Sequence, residues 1–271
     1  MGEPKAAFEP RELERYSRNI ILKEFGAKGQ KRLKAGKVMI VGAGGLGAPA
    51  ALYLAAAGVG VIGVADGDAV DLSNLQRQVI HSTPDVGKPK ALSAKESLEA
   101  LNPEIEVRAF EGRLTAANVL EAISGYDFVL DGTDSFAAKF LINDACVIAS
   151  KPFCHAGIIR WRGQLMTWVP GKGPCYRCVF KAPPPPSAVP SCREAGVIGA
   201  MAGVIGCLQA MEAVKFLSGA GELLTGRLLT YDALSNDFRK VRLPGRDSCP
   251  VCGKEPTILA PADYEIPPCA L

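Results

Sequence analysis

The chain lacks a charge of one sign. Its 31 Lys and Arg against 28 Asp and Glu leave a formal net charge of +3 over 271 residues, and the basic residues are scattered among acids. That balance removes the main electrostatic argument for a nucleic-acid partner or an anionic membrane surface. The N-terminal MGEPKAAFEPRELERY is polar and lacks the apolar core of a signal peptide, so a cytoplasmic location is the expectation. No internal repeat and no independent linker is found, which points to one continuous domain over 1–271. Long hydrophobic runs are scarce. The one candidate, Gly196 to Leu217, is interrupted by Gln209, Glu212 and Lys215, and the stretch before them is short for a bilayer. A buried helix at a core or subunit interface is expected instead, with small residues that let helices approach closely, and no membrane partner.

What is present is concentrated in Val38 to Gln78. Val38 to Val41 reads as an apolar strand, Gly42-x-Gly44-x-x-Gly47 as a glycine turn, and Ala48 to Ala57 as a small-residue helix. Val59 to Ala65 reads as the next strand, ending at Asp66. Such glycines permit a tight turn and close approach of backbone N–H groups to phosphate, and the positive end of the following helix favours the anion. The turn alone suits NAD or FAD as readily as ATP. Beyond Asp66 come Asp68, Asp71 and then Ser73-Asn74-Leu75-Gln76-Arg77-Gln78. A dehydrogenase needs one acid there, for the ribose hydroxyls; this polar arm has donors enough for a triphosphate.

The nine cysteines sort by spacing. Cys175-x-x-Cys178 and Cys249-x-x-Cys252 form two knuckles, the arrangement of a tetrahedral four-thiolate zinc site. A redox dithiol or two unrelated turns are the other readings; two matched knuckles favour structural zinc, which would clamp the last strand region to the middle of the chain. Cys146 and Cys207 lie in apolar helical contexts and read as core. Cys154 lies in a strand-like segment and Cys269 in the tail. Cys192 follows a proline-rich run, Pro183 to Pro186 and Pro190, and precedes Arg193 and an apolar helix. A thiol near a helix N-terminus and beside an arginine ionises more easily, so it is a candidate nucleophile; a loop cysteine without a role is the alternative.

The remaining pattern alternates. Arg11 to Phe25 reads as an amphipathic helix, followed by Gly26 and a short basic helix to Leu33. Lys90 to Leu101 is helical and stops at Asn102-Pro103. Glu104 to Glu111 reads as a strand, Ala116 to Ile123 as a helix and Phe128 to Leu130 as a strand running into Asp131-Gly132-Thr133-Asp134-Ser135. A helix from Phe136 to Ser150 follows. From Phe153 the pattern is strand-like, and it ends in an antiparallel stretch from Leu228 to Leu243. This predicts an α/β class, a doubly wound, mostly parallel Rossmann-like sheet with a zinc-tethered antiparallel C-terminal part. Ligands in such sheets bind at the C-terminal strand ends, so the Gly42 loop, Asp66 and Asp134 should share one crevice.

Taken together, Arg15-Tyr16-Ser17-Arg18, GAGGLG, DGDAVDLSNLQRQ, GKPKA, DGTDS, the two knuckles and Ser191-Cys192-Arg193-Glu194-Ala195-Gly196 resemble the ThiF/MoeB/HesA group. These are adenylating enzymes for ubiquitin-like sulfur carriers, related to ubiquitin-activating enzymes. The resemblance runs over nearly the whole length and lies nearer MoeB. It divides the domain into N-terminal helices (1–35), a nucleotide-binding half (36–150) and a zinc-bearing, carrier-binding half (151–271), with no rhodanese-like domain after the second knuckle.

The resemblance implies a reaction. The C-terminal carboxylate of a MoaD/ThiS-like carrier ending in Gly-Gly attacks the α-phosphate of ATP, giving an acyl-adenylate and pyrophosphate on the way to a thiocarboxylate. By family analogy Gly45, with Gly42 and Gly44, lies against the phosphates and Asp66 takes the ribose. Asp68, Ser73, Gln76 and Ser135 line the nucleotide site, and Asn74, Arg77 and Lys90 contact phosphates. Asp134 holds Mg²⁺, and Arg18 reaches the ATP of the other subunit, which implies a homodimer. A sulfurtransferase or a cysteine desulfurase would supply sulfur. Ser135 stands where many relatives have Asn, and Lys88 adds a second cation beside Lys90. The competing reading is a nicotinamide or flavin oxidoreductase using the Gly42 to Gly47 loop.

Overall fold

The computed structural model describes residues 8–182 and 195–264. Its frame is an eight-stranded sheet in the order β3-β2-β1-β4-β5-β6-β7-β8. The five strands β1 (Lys37–Val41), β2 (Val61–Asp66), β3 (Glu106–Glu111), β4 (Phe128–Asp131) and β5 (Phe153–Ile159) pair in parallel. The last three, β6 (Arg162–Trp168), β7 (Arg227–Asp232) and β8 (Asp237–Arg242), pair antiparallel. The chain can reverse tightly after β5 and β7 because Arg160 and Asn236 accept left-handed backbone, at φ 54° and 60°.

Strand side chains alternate between two buried clusters, one on each face. Val38 and Ile40 of β1 join Leu33, Leu54, Ile62 and Leu98, while Met39 and Val41 join Phe140, Tyr176 and Cys249. Period-2 alternation with both faces covered explains why the central strands read as unbroken apolar runs. Each such side chain, fully buried, contributes about 2 kcal/mol. On the first face lie α3 (Gly26–Ala35), α4 (Gly47–Ala57) and α5 (Lys90–Leu101); on the second lie α6 (Val119–Ser124), α7 (Phe136–Ile148) and the short α8 (Tyr176–Val179).

The expected single helix from Arg11 to Phe25 is broken into α1 (Pro10–Arg15) and α2 (Ser17–Ile20). The cause is Tyr16, which turns inward: it is buried, and its hydroxyl accepts from Asn102 Nδ2 at 2.9 Å. Its ring occupies the space a side chain at Gly58 would need, where a Cβ would stand 2.4 Å away. Gly58, at φ 82°, also ends α4 as a left-handed cap and delays β2 to Val61.

The long apolar segment forms α9 (Gly199–Ser218), the one helix among the described residues long and apolar enough to cross a membrane. Length alone therefore does not exclude a span, contrary to the expectation from sequence; packing supports the core reading. Gln209 Nε2 donates to the carbonyls of Asp131 (2.9 Å) and Cys154 (3.2 Å), and Glu212 accepts from Thr167 Oγ1 at 2.6 Å and the Leu224 amide at 2.8 Å. Gly206 lets α9 close on α4, since a Cβ there would lie 2.4 Å from the Leu46 carbonyl oxygen.

Candidate active site

Where β1, β2 and β4 end, the backbone builds a crevice. Val41 pairs with Ala65 on one side and Asp131 on the other, so the chain leaves all three strands at one level. β1 lies between β2 and β4, where the strand order reverses and a doubly wound sheet opens to ligands. Gly42 takes φ 95°, and a Cβ on Gly47 would stand 1.8 Å from the Gly42 carbonyl oxygen. A Cβ on Gly132 would lie 3.0 Å from both Gly42 O and Gly47 N, so the glycine turn and the Asp131 to Ser135 turn touch through backbone.

Asp66 ties the glycine turn to the polar arm. Its carboxylate accepts from the Ala43 amide and the Asp68 amide, each at 2.8 Å. Asp68 pairs with Lys90 (3.3 Å) and Arg113 (3.2 Å). Burial raises the Asp68 carboxyl, but these two cations outweigh it and leave it below its ordinary value. Asp71 caps the turn Leu72–Asn74 by accepting from the Ser73 amide at 2.8 Å. Arg77 donates to the Ser73 carbonyl at 3.2 Å, and its methylenes stand 3.4 Å from where a Cβ on Gly45 would be. Gly199 lets α9 close on the arm at Gln76, whose carbonyl oxygen would be 2.1 Å from a Cβ there.

Lys90 opens α5 and is buried, while Lys88 pairs with Glu96 in a more exposed position. Ser135 caps α7, its hydroxyl accepting from the Ala138 amide at 3.2 Å. Asn74 is half-buried; Ser73, Gln76, Asp134 and Arg18 are exposed. Arg18, on α2, makes no hydrogen bond or ion pair among the described residues. Cys192, the proline run and Cys269 lie outside the described residues.

Cys175, Cys178, Cys249 and Cys252 converge, all four sulfurs within 4.8 Å of one another. Cys175 Sγ and Cys249 Sγ are 3.7 Å apart, and Cys178 Sγ and Cys252 Sγ 3.5 Å. Thiolates about 2.3 Å from a tetrahedral zinc are about 3.8 Å from each other, so these donors fit that ion. Contacts from Cys178 and Cys252 push the Cys175 thiol far up, a penalty a bound cation would reverse.

The ThiF family model matches residues 16–251. The chain belongs to the ThiF family. It is 51% identical to the sulfur carrier protein adenylyltransferase of Thermus thermophilus, over 94% of this chain and 96% of that protein. To the adenylyltransferase and sulfurtransferase MOCS3 of Bos taurus it is 47% identical over 97% of its own length, but it spans only 58% of that relative. Among solved structures, Escherichia coli MccB with ATP superposes at a TM-score of 0.76 and 27% identity, covering 93% of this chain and 77% of that one.

The ThiF-family chain also carries a polar layer beneath the crevice that its motifs did not single out. Asp131, buried at 1% exposure, accepts from His155 Nδ1 at 2.8 Å, from Thr133 Oγ1 at 2.6 Å and from Lys139 Nζ at 3.3 Å. Lys139 Nζ also donates to the Thr133 and Ala156 carbonyls, each at 2.7 Å. His81 lies under the glycine turn, its Nε2 donating to the Ala43 carbonyl (3.1 Å) and its Nδ1 accepting from Ser93 Oγ (2.8 Å). Burial lowers both histidines, His155 to about 4. The available signal was scarcity: these are the only two histidines in the sequence. Cys146 is buried, as expected of a core residue, and Cys154 on β5 is buried too, whereas Cys207, also expected in the core, is only half-buried.

Proposed function

We propose that this protein adenylates the C-terminal glycine carboxylate of a small ubiquitin-like sulfur carrier protein. The observation carrying this reading is the 51% identity to a sulfur carrier protein adenylyltransferase across nearly the whole of both chains. The crevice offers the matching chemistry. A carboxylate oxygen forms a bond to the α-phosphorus of ATP, the bond from that phosphorus to the bridging oxygen breaks, and pyrophosphate leaves with the electron pair. Two anions must meet, so charge must be neutralised and geometry fixed.

In this reading Gly42, Gly44 and Gly45 face the phosphates, and Asp66, already fixed by two amides, has lone pairs left for ribose hydroxyls. Asn74, Arg77 and Lys90 hold phosphate oxygens, while Ser73 and Gln76 border them. Asp134 and Ser135 stand at the opposite turn. Mg²⁺ held by Asp134 would neutralise phosphate charge when bound. Zinc on the four thiols would be structural, since no coordination position is left open. Arg18 acts on the nucleotide of a second copy, and the exposed Ile21 and Leu22 beside it suit a subunit contact. A sulfurtransferase or a cysteine desulfurase then delivers sulfur to the adenylated carrier.

Nothing in the comparisons supports the nicotinamide or flavin alternative. The test is pyrophosphate release from ATP with a carrier ending in Gly-Gly and with the same carrier lacking that dipeptide. Release only with the intact carrier is expected; equal release with both, or none with any carrier, would overturn the reading.

A further inference from the structure

The backbone N–H groups of Gly44, Gly45 and Leu46 have no acceptor among the described residues, while the amide before them, that of Ala43, donates to Asp66. Successive free amides at the start of a helix make a concavity for an anion. Glycine in such a turn brings a difficulty with it. Gly44 lacks a Cβ, so the peptide joining it to Ala43 can flip and present its carbonyl oxygen in place of its N–H. A carbonyl turned toward phosphate oxygens would repel them.

His81 removes that freedom. Its ring is buried, and burial keeps it neutral by lowering it below its ordinary value. A neutral imidazole carries a single N–H. The Ala43 carbonyl, 3.1 Å from Nε2, can only accept, so the proton sits on Nε2, and Nδ1 accepts from Ser93 Oγ at 2.8 Å. The histidine is itself anchored. Its amide donates to the Gln78 carbonyl at 3.0 Å, and Ser93 is buried one turn into α5 from Lys90. The Ala43 carbonyl is therefore drawn toward the buried His81–Ser93 pair. No peptide bond among the described residues is cis, and in a trans peptide the N–H points opposite to the C=O. The Gly44 N–H is thus aimed away from that pair, on the side where the protein provides no acceptor.

We propose that His81 is a positioning residue of the nucleotide site: through the Ala43 carbonyl it locks the Ala43–Gly44 peptide with its N–H presented to a phosphate oxygen of ATP. This rests on the reading of the crevice as an ATP site. Ser93 sets the lock, because its hydroxyl supplies Nδ1 with a donor and leaves the ring's one proton on the Nε2 side. His81 touches no nucleotide. It fixes the amide before the anion arrives, so binding does not have to turn the peptide.

The experiment compares wild type, His81→Leu, His81→Gln and Ser93→Ala by calorimetric titration with ATP and with adenosine, which lacks phosphate, after thermal unfolding has shown that each is folded. His81→Leu should bind ATP about tenfold more weakly with adenosine affinity unchanged. His81→Gln, whose side-chain amide can still donate to Ala43, should recover most of the ATP affinity. Unaltered ATP affinity in folded His81→Leu would overturn the proposal. Equal losses for ATP and adenosine would also overturn it, since a merely structural histidine would loosen the whole site, and so would a glutamine variant no better than leucine. Should His81→Leu not fold, Ser93→Ala decides: a loss confined to ATP supports the lock, and unchanged ATP affinity overturns it. A wild-type protein that binds no ATP would overturn the nucleotide reading itself, separately from any difference between variants.

Discussion

His155 Nδ1 lies 2.8 Å from Asp131 Oδ2, and neither group reaches solvent. The ring is pushed down to about 4, first by burial and then by the nearby Lys139 cation, despite the carboxylate beside it. Burial alone would raise Asp131, but Lys139 and His155 outweigh it and hold the carboxyl far below its usual range. Unfolded, the histidine takes up its proton below about 6.5; folded, it refuses it until about 4. Between those values the unfolded state binds more protons, so stability must fall as pH drops through that window and this contribution then level off. Asp131 adds a further loss at still lower pH, once the unfolded carboxyl protonates. Denaturant midpoints measured across the window should show the slope, and His155→Asn should flatten it, leaving the share due to His81.

Lys139 is the cation that keeps Asp131 charged in the interior. Replacing it by methionine strands a buried carboxylate, which should cost about 3 to 5 kcal/mol of unfolding free energy. Removing the charge as well, in Lys139→Met with Asp131→Asn, should recover part of that loss. Urea unfolding of the two singles and the double forms a cycle, and strict additivity would contradict the coupling.

Asp134 is exposed and makes no bond among the described residues, so Asp134→Ala should leave unfolding within about 0.5 kcal/mol of wild type. Carrier-dependent exchange of pyrophosphate into ATP should nevertheless fall by at least about a hundredfold. Normal exchange with a verified carrier would remove the metal role assigned to this residue.

If Arg18 serves the site of a second subunit, two inactive variants can rescue each other. Mixing Arg18→Ala with Asp134→Ala under conditions of subunit exchange should restore about a quarter of wild-type activity, because half the dimers are mixed and each has one intact site. No recovery, with mixed dimers demonstrated, would place Arg18 in its own subunit's site or outside catalysis.

The knuckles should hold one zinc per chain, measurable by elemental analysis and lost in Cys178→Ser. The first knuckle also carries Arg177, buried between its cysteines and paired to Asp144 of α7 through two contacts at 2.6 and 2.8 Å. Chelation should therefore lower the thermal midpoint of the whole domain rather than release a local flap. An unchanged midpoint after verified zinc removal would contradict this coupling.

The elements most legible in the sequence rest on short-range physics. The runs that became β1, β2 and β4, the turn at Gly42 to Gly47 and the paired cysteine spacings each follow from alternation, glycine backbone freedom or ligand chemistry within a few residues. The helix break at Tyr16 was not legible, because nothing near Tyr16 announces that its hydroxyl meets Asn102, 86 residues away. Likewise nothing in the local sequence sets Lys139 or His155 apart until the sheet brings both to Asp131.

By itself, then, the sequence determined the class of sheet, the phosphate-facing turn and the four-thiol cluster, since these are written in local pattern and spacing. Only the tertiary structure decided which charges lie beneath the crevice, why Lys88 and Lys90 differ, how the apolar α9 is packed against protein, and that Gln78 Oε1 is buried without a hydrogen bond among the described residues. Those outcomes depend on desolvation and on partners far apart in the chain, and neither is visible until the backbone has closed around them.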